Sequence, residues 1–387
     1  MSESSIGSPT PVRSLAGRYY TDPGVYAAER QGLLARTWQF AAHASELGAP
    51  GDYVTFEIAG ENLFCIRTPT GTVKAFYNVC QHRGHELLRG RGNARRIVCP
   101  YHAWTYTPDG ELHGGPNIGS VPGFERSTVR LAEVRVEDFH GFLFVNLDPD
   151  AEPMDVWFPR VREELGEFVP RIDALSPLEW IEVPEHCNWK VSVENYSECY
   201  HCQLNHPTFA TGVVKARTYD IRPQGHCLRH TTECQNLERM SYPIDPHANA
   251  YSGKYSSWFL WPMFSFQVYP GNLLNTYHWR AVDHERCTVW RGWYTGDGRP
   301  ESVARALAVQ DRATTVAEDV RLVESVQRGL ASRGYRPGPL VIDPAGGVKS
   351  EHSIAVLQGW MRADADGERS AVGRNAAPSA GAEDPVT

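Results

Sequence analysis

No long apolar run, basic cluster or paired-cysteine pattern stands out in this chain of 387 residues. None of its hydrophobic stretches approaches the roughly 20 residues that a membrane-spanning helix needs. A net charge of −8 and the absence of a block of lysines or arginines argue against nucleic-acid binding. The first residues, MSESSIGSPTPVRS, lack the apolar core of a secretory signal. We therefore expect a soluble, cytoplasmic protein with no membrane or nucleic-acid partner.

The cysteines show no sign of a disulfide framework. There are nine of them, an odd number, and they are scattered along the chain. In a protein without export signals this pattern predicts reduced thiols and metal ligands. The chain also has no glycine-rich dinucleotide fingerprint that follows a strand and opens a helix, so we do not expect it to bind NADH or NADPH itself.

Two short segments each carry one cysteine and one histidine: Cys80-Gln-His82 and Cys99-Pro-Tyr-His102. Zinc fingers and ribbons can also use two of each residue, but there the cysteines usually form one pair and the histidines another. One Cys and one His per loop suits a [2Fe–2S] cluster with two thiolates on one iron and two imidazoles on the other, the Rieske arrangement. Such a cluster accepts electrons readily and passes them on singly. Structural zinc is the competing interpretation.

A second informative segment is ENYSECYHCQLNHPTF, residues 194–209, which places His201 and His206 five positions apart. Residues with this spacing do not share one face of a regular helix, so we expect a local irregularity such as a π-bulge. Two histidines and one carboxylate form the facial triad that binds a mononuclear Fe(II). A zinc site that includes Cys199 and Cys202 is the alternative, and otherwise these two cysteines are expected to be small buried packing residues.

The third ligand of such a triad should come from the segment TTVAEDVRLVESVQRGLASRGY, residues 314–335. Apolar residues at helical spacing predict one buried stripe along it: Val316, Val320, Val323, Val326 and Leu330. Asp319 lies at the edge of this stripe. Spacing alone does not choose between it and three nearby carboxylates, Asp311, Glu318 and Glu324.

These segments resemble a known family. The stretches CQHRGH (80–85) and CPYHAW (99–104) are similar to the ligand loops of Rieske-type non-haem iron oxygenases, α subunit, also called ring-hydroxylating oxygenases. The acidic residue and two histidines of the family's second signature resemble Glu198, His201 and His206. The run EDVRLVESVQRGL resembles the helix that carries the third iron ligand, and this selects Asp319. The resemblance covers roughly residues 35–340.

The resemblance implies two metal centres. The implied [2Fe–2S] ligands are Cys80, His82, Cys99 and His102, and the implied ligands of the mononuclear Fe(II) are His201, His206 and Asp319. Glu198 would link the centres across a head-to-tail homotrimer, with hydrogen bonds to His82 or His102 of a neighbouring subunit and to His201 or His206 of its own. Asn195 would form hydrogen bonds near the iron. The implied co-substrate is O2, with electrons from NADH or NADPH that arrive through a separate reductase or ferredoxin.

Most ring-hydroxylating members have Asp where this chain has Glu198. A Glu followed by Cys-Tyr-His-Cys resembles the members that act on quaternary ammonium compounds such as carnitine, glycine betaine and stachydrine. We therefore predict an oxidoreductase, a monooxygenase or dioxygenase, that N-demethylates or hydroxylates a betaine-type compound. Hydroxylation or dihydroxylation of an aromatic ring and O-demethylation of an aryl ether are alternatives, and a zinc-binding, non-enzymatic protein is an alternative of another class. The aromatic residues of segment 255–294 could cage a trimethylammonium group, line an apolar pocket or fill the core of a sheet.

The pattern along the chain predicts an α+β fold. Short strands separated by turn residues, from Gly51 to about Asn146, predict an antiparallel β domain. The expected boundaries are a disordered N-terminus (1–15), a helical segment (16–50), a Rieske domain (51–150) inserted in or preceding the catalytic domain, and a disordered tail (364–387). The catalytic mononuclear-iron domain (151–363) should be an antiparallel sheet covered by helices, of the helix-grip type.

Overall fold

The computed structural model describes residues 11–296, 298, 300–343 and 346–365. The predicted disorder of residues 1–10 and 366–387 falls outside these ranges. Residues 364 and 365, which the predicted tail includes, instead end the helix His352–Ala365. Within them, residues 39–146 form an N-terminal β unit, and the rest of the chain forms a larger unit, here called the catalytic unit, that contains the remaining sheet and the helices.

The N-terminal β unit is antiparallel throughout, and in its seven-stranded sheet the strands follow the order β1-β10-β9-β4-β3-β2-β5. Strands β6, β7 and β8 form a small sheet of their own. The strands are β1 (Gln39–His43), β2 (Asp52–Ile58), β3 (Glu61–Arg67), β4 (Val73–Tyr77), β5 (Arg91–Asn93), β6 (Ile97–Val98), β7 (Thr105–Tyr106), β8 (Leu112–Gly114), β9 (Glu133–Phe139) and β10 (Phe142–Asn146). The predicted antiparallel β fold of this unit is confirmed.

The catalytic unit contains a second seven-stranded antiparallel sheet, in the order β11-β17-β16-β15-β14-β13-β12. Its strands are β11 (Ser176–Glu185), β12 (Asp220–Gln224), β13 (Cys227–Glu233), β14 (Lys254–Leu260), β15 (Phe264–Tyr269), β16 (Leu273–Ala281) and β17 (Cys287–Thr295). The helices are α1 (Arg18–Thr21), α2 (Pro23–Gln31), α3 (Met154–Trp157), α4 (Val161–Phe168), α5 (Trp189–Tyr196), α6 (Cys202–Asn205), α7 (Pro207–Gly212), α8 (Glu301–Asp311), α9 (Ala317–Leu330) and α10 (His352–Ala365). The predicted α+β class is therefore confirmed.

The central strands of this second sheet are buried on both faces. Every residue of β15 is buried, where a half-exposed strand would alternate between buried and exposed positions. Helices α5, α8 and α9 contact the sheet. Aromatic residues of the N-terminal β unit also pack on it, with ring centroids of Phe40 and Phe264 4.9 Å apart and those of Phe142 and Phe266 4.8 Å apart. The two units thus share one aromatic core.

The N-terminal helical segment predicted for residues 16–50 is only partly helical. Helix α2 ends at Gln31, and Gln39–His43 instead forms strand β1, which pairs with β10. All five residues of this strand are buried, since Phe40 packs into the core shared with the catalytic unit and Ala41 and Ala42 pack into the core of the β unit. The β unit therefore begins before residue 51.

Both ends of the described chain complete the catalytic unit. Residues 11–15 are not disordered as predicted, because Ser14 N–H donates to Gly338 O (2.9 Å), Leu340 N–H donates to Val12 O (2.8 Å), and Leu15 is buried. Gln327 Nε2 of α9 donates to the carbonyl of Tyr20. Local composition suggested disorder here. It could not reveal the order of these residues, because their partners lie more than 300 positions away.

The segment that precedes and carries Asp319 consists of α8, one π-helical turn (Arg312–Val316) and α9. The predicted apolar stripe is interrupted at one position. Val323 is buried and Val316, Val320 and Leu330 pack against the same core, whereas Val326 is 49% exposed. Helix α9 contacts α5, α1 and β11, and this contact with α5 brings two distant sequence motifs together.

A buried ion pair joins the N-terminal helix α2 to α5. Lys190 Nζ lies 2.6 Å from Glu29 Oε1, and only 1% of the lysine side chain is exposed. Trp189 Nε1 donates to the other oxygen of Glu29 (3.1 Å). Burial lowers the pKa of Lys190 and the facing carboxylate opposes that effect, so the lysine depends on Glu29 to remain charged.

We predict that Glu29→Gln lowers the free energy of unfolding by about 3–5 kcal/mol, because it leaves a buried ammonium without a counter-charge. Guanidinium denaturation followed by tryptophan fluorescence measures the change. The double variant Glu29→Gln, Lys190→Met removes both charges and should recover most of the loss. A single variant within about 1 kcal/mol of the wild type would show that the pair does not hold α2 in place.

Candidate metal centres

The two Cys–His loops are tight turns of the N-terminal β unit. Gly84 N–H donates to Cys80 O and Ala103 N–H donates to Cys99 O, each at 3.0 Å. Ala103 has a left-handed φ of 56°, which its small side chain tolerates and which lets the turn close. The second loop joins β6 to β7 and forms the tip of that hairpin. The first does not, because β4 and β5 pair with different strands.

The loops bring two thiols and two imidazoles together. Cys80 and Cys99 are buried and in contact, and the rings of His82 and His102 lie 4.7 Å apart nearer the surface. His102 Nδ1 is buried without a hydrogen-bond partner in the described structure. Burial, followed by the charges of His82 and Arg83, lowers the pKa of His102 and favours the neutral imidazole. Two thiols on one side and two neutral imidazoles on the other fit the ligand set of a Rieske cluster.

Aromatic side chains cover this group. Trp104 stacks on His82 with ring centroids 4.6 Å apart, and the guanidinium of Arg83 lies 5.4 Å from the centre of the Tyr101 ring. Tyr106 OH lies 3.3 Å from Cys80 Sγ. Such contacts limit water around a cluster and supply a hydrogen bond to a ligand sulfur, which tunes its potential.

The predicted π-bulge between His201 and His206 is wrong. Helix α5 ends at Tyr196, and the two histidines flank the one-turn helix α6. His206 leaves the helical region (φ −121°, ψ 65°) because the next residue is Pro207, which disfavours a helical conformation before it. A break in the helix, instead of a bulge, therefore turns both rings to one point.

His201, His206 and Asp319 converge in what is here called the three-donor set. Asp319 Oδ1 lies 2.9 Å from His206 Nε2 and 3.7 Å from His201 Nε2. The two Nε2 atoms lie 3.0 Å apart. Asn195 Nδ2 donates to the same carboxylate oxygen at 3.1 Å. The structure thus places all four predicted residues in direct contact.

The three competing carboxylates have other partners. Glu318 Oε2 accepts a hydrogen bond from His206 Nδ1 at 2.8 Å. Glu324 accepts one from the backbone N–H of His186, and Asp311 pairs with Arg291. Asp319 is therefore the carboxylate that the structure brings to both histidine rings.

The hydrogen bonds of the two rings show what must lie between them. Nδ1 of His201 contacts Glu198 and Nδ1 of His206 contacts Glu318. A carboxylate can only accept, so each Nδ1 carries a proton and each Nε2 presents a lone pair. Two lone pairs 3.0 Å apart, beside a carboxylate oxygen, require a proton or a metal ion between them. Histidines held by carboxylates in this way are typical of metal sites.

The charges around His206 lead to the same conclusion. Burial lowers the pKa of His206, but the hydrogen bonds and charges of Asp319 and Glu318 raise it by more, to about 9. The site therefore favours a cation strongly, whether a proton or a metal. Sequence reasoning considered Glu318 only as a rival ligand and missed this contact. Its position directly before Asp319 was the available signal.

Cys199 and Cys202 correct another prediction. They are buried, as expected, but they form a disulfide and pack against Val214, Tyr219 and Ile221. The short loop brings their Cα atoms to 4.9 Å, within the range that a disulfide spans. The prediction of reduced thiols is therefore wrong here. With both sulfurs bonded to each other, a zinc site built from these cysteines has no thiolates to use.

A cavity of about 440 Å³, here called the main cavity, is lined by Pro207, which directly follows His206, and by Asp311, which is near enough to His206 and Asp319 to interact with them electrostatically. It lies between α7, which follows His206, the π-helical turn before α9, and the sheet. Phe209, Tyr269 and Trp293 contribute aromatic surface, and Asp311 and Arg239 contribute charge. A smaller cavity beside Asn195 and Asp319 is lined by Tyr196, Glu185, Tyr277, Trp279 and Arg291. Most other aromatic residues of segment 255–294 fill the core.

The comparison with known families agrees with this architecture. Residues 37–125 match the Rieske [2Fe-2S] domain, and residues 172–365 match the catalytic domain of the ring hydroxylating alpha subunit. The chain therefore belongs to the ring-hydroxylating α-subunit family of Rieske non-haem iron oxygenases. This confirms the predicted family and enzyme class. No described helix combines the length and apolar character needed to cross a membrane.

Several relatives act on quaternary ammonium compounds. The carnitine monooxygenase oxygenase subunit of Acinetobacter baumannii is 36% identical over 343 residues, which cover 88% of this chain and 91% of the relative. The glycine betaine monooxygenase oxygenase subunit of Chromohalobacter salexigens is 33% identical over 204 residues, 52% of this chain and 45% of the relative. The quaternary ammonium Rieske monooxygenase CntA, in complex with its substrate γ-butyrobetaine, is 32% identical with a TM-score of 0.79, covering 92% and 96% of the two chains.

We predict that Asp319→Ala lowers the iron content by one atom per chain and leaves the visible absorbance of the cluster unchanged, because only the three-donor set loses an oxygen ligand. Metal analysis and electron paramagnetic resonance measure the two centres separately. Glu324→Gln is the matched control, since Glu324 bonds a backbone amide instead. Full iron content in Asp319→Ala, or its loss in the control, would contradict this choice of carboxylate.

Proposed function

We propose that this protein is the oxygenase component of a quaternary ammonium monooxygenase, which oxidises a carbon bonded to the onium nitrogen of a betaine-type compound. The observation that carries the proposal is the main cavity, which is lined by three aromatic rings and by the buried carboxylate of Asp311, and which begins at Pro207, directly after the donor His206. In this proposal a [2Fe–2S] cluster is bound by Cys80, His82, Cys99 and His102, and an Fe(II) is bound by His201, His206 and Asp319.

The charge in the cavity favours an onium over a neutral aromatic substrate. Asp311 is 8% exposed and pairs with Arg291 through Oδ2, but its Oδ1 has no partner in the described structure, and an uncharged ring would leave that buried oxygen uncompensated. A trimethylammonium group would instead meet a negative charge and the faces of Phe209, Tyr269 and Trp293. Each cation–π contact contributes about 0.5–2 kcal/mol. Ring hydroxylation and aryl-ether O-demethylation are therefore less well supported.

The reaction requires O2, two electrons and two protons. When bound, the cluster would supply single electrons and the Fe(II) would bind O2 for reduction. One oxygen atom enters the C–H bond next to nitrogen, and the other leaves as water. The resulting carbinol breaks its C–N bond to give an aldehyde, a tertiary amine and a proton. The electrons come from NADH or NADPH through a separate reductase or ferredoxin.

The chain's own residues prepare the site for this chemistry. Glu198 and Glu318 orient the two imidazoles, and Asn195 orients the carboxylate of Asp319. Fixed ligand orientation would hold a bound metal ion in one position relative to the residues around it. Oxidative N-demethylation and hydroxylation of a longer chain both fit this arrangement, since they differ only in which carbon on nitrogen approaches the metal.

We further propose that electrons cross between subunits of a homotrimer. Glu198 lies on a surface loop with the exposed apolar residues Tyr200 (47%) and Leu204 (85%), and Tyr101 beside the cluster loops is 52% exposed. Two exposed apolar groups, each next to a proposed metal centre, suit a contact between the cluster of one subunit and the iron of the next. Glu198 would then bridge His201 to a cluster histidine of the neighbouring subunit.

The experiment that tests the proposed function is product analysis with a surrogate reductase and NADH. We expect aldehyde and tertiary amine from at least one of glycine betaine, carnitine and γ-butyrobetaine, and no product from benzoate. Asp319→Ala is the control for activity without the mononuclear iron. A diol from benzoate, with no onium compound oxidised, would overturn the proposal.

Glu198→Gln should retain both metals but slow turnover by about tenfold to a hundredfold, because the amide can still accept from His201 but carries no charge for the neighbouring cluster histidine. Glu318→Gln makes the same change at His206, where no inter-subunit contact is proposed. Stopped-flow oxidation of the reduced cluster distinguishes the two variants, since only Glu198→Gln should slow that step. A wild-type rate of cluster oxidation in Glu198→Gln would show that the residue is not a bridge.

A further inference from the structure

The main cavity has one acidic and one basic side chain among the described residues that line it, Asp311 and Arg239. They differ in depth. Asp311 is buried and lies close enough to His206 and Asp319 to interact with them electrostatically, whereas Arg239 is exposed. The acid therefore marks the metal end of the cavity and the arginine marks its mouth.

Asp311 has one oxygen available to a ligand. Its Oδ2 lies 2.5 Å from Arg291 Nη1, but its Oδ1 is buried without a hydrogen-bond partner in the described structure. An amine or amide would donate a hydrogen bond to such an oxygen. A trimethylammonium group has no N–H and needs only an oxygen with negative charge at contact distance, so Oδ1 suits it. Burial raises the pKa of Asp311, and the guanidinium of Arg291 opposes that effect while Oδ1 stays available.

Arg239 sits on a short 3₁₀ turn, Leu237–Arg239, and its side chain makes no hydrogen bond or ion pair within the described residues. The turn is held near α8, because Ser241 Oγ donates to Gln310 Oε1 at 2.7 Å. An arginine on a held turn at a cavity mouth presents a planar set of donors that matches a carboxylate. The guanidinium of Arg239 is therefore available to the far end of a bound molecule.

We propose that Arg239 binds the carboxylate of the substrate and thereby selects a zwitterion, a trimethylammonio carboxylate, over an onium alcohol such as choline. This assignment rests on the proposed function and deepens it, because it fixes the orientation of the substrate. The onium end lies at Asp311 and the three-donor set, and the carboxylate lies at the mouth. The oxidised carbon is then one bonded to nitrogen, and in a longer compound such as γ-butyrobetaine the carbon next to the carboxylate stays away from the metal.

The test compares γ-butyrobetaine with choline, which share the trimethylammonium group but differ at the other end. Calorimetry gives the dissociation constant of each compound, and steady-state assays give kcat/KM. We expect the wild type to prefer γ-butyrobetaine. In Arg239→Gln that preference should fall at least about fivefold, mainly through Kd and KM, because one charge pair at a partly solvated mouth is lost. Arg239→Lys should keep part of it.

Arg217→Gln is the matched control, since Arg217 is also exposed but does not line the cavity, and it should keep the wild-type preference. An unchanged preference in Arg239→Gln, or an equal loss for both compounds, overturns the assignment of Arg239 and leaves the proposed function standing. A wild type that prefers choline also overturns it. A wild type that neither binds nor oxidises any onium compound overturns the proposed function itself, and Arg239 with it.

Discussion

Two imidazole lone pairs and a carboxylate oxygen are held around one point, and these groups repel one another unless a cation lies between them. Much of the surrounding structure holds that arrangement in place. Glu198 and Glu318 fix the proton of each ring on the far nitrogen, and Asn195 fixes the carboxylate. Pro207 ends the helix where His206 must turn. Helix α9 contacts α5, which brings Asp319 to the histidines. These contacts keep the mutually repelling donor groups close together, and the site is therefore ready to bind a metal ion.

The same rule governs charge elsewhere in the catalytic unit. Lys190 is buried, and its ammonium donates to both carboxylate oxygens of Glu29. Arg291 and Asp311 are also buried, but each keeps one polar atom without a partner in the described residues. A fully satisfied pair serves structure, whereas an incomplete pair beside a cavity can still gain from a ligand. This difference separates the charges that hold the fold from those that face a substrate.

Short-range spacing carried most of the site prediction. Cys80 with His82, and Cys99 with His102, must lie close because only one or two residues separate them. The pairing of the two loops, and the choice of Asp319 over Glu318, depend on tertiary contacts, and only the family resemblance selected them. Strand β1 and the ordered residues 11–15 were missed because their partners lie far along the chain. The Cys199–Cys202 disulfide was missed because the odd, scattered cysteines suggested thiols.

The catalytic unit contains residues that precede the N-terminal β unit in the sequence and residues that follow it. This arrangement sets the order in which the parts of the protein can fold during synthesis. Glu29 and Lys190 are 161 positions apart, so α2 emerges from the ribosome long before its partner. Domains fold as their residues emerge from the ribosome. The β unit can therefore form its sheets before the residues that contact α1 and α2 have been synthesised. The cluster loops are therefore complete before α9 has been translated. The four residues of the Cys–His loops thus leave the ribosome before Asp319, and the three-donor set is the later of the two sites to be completed.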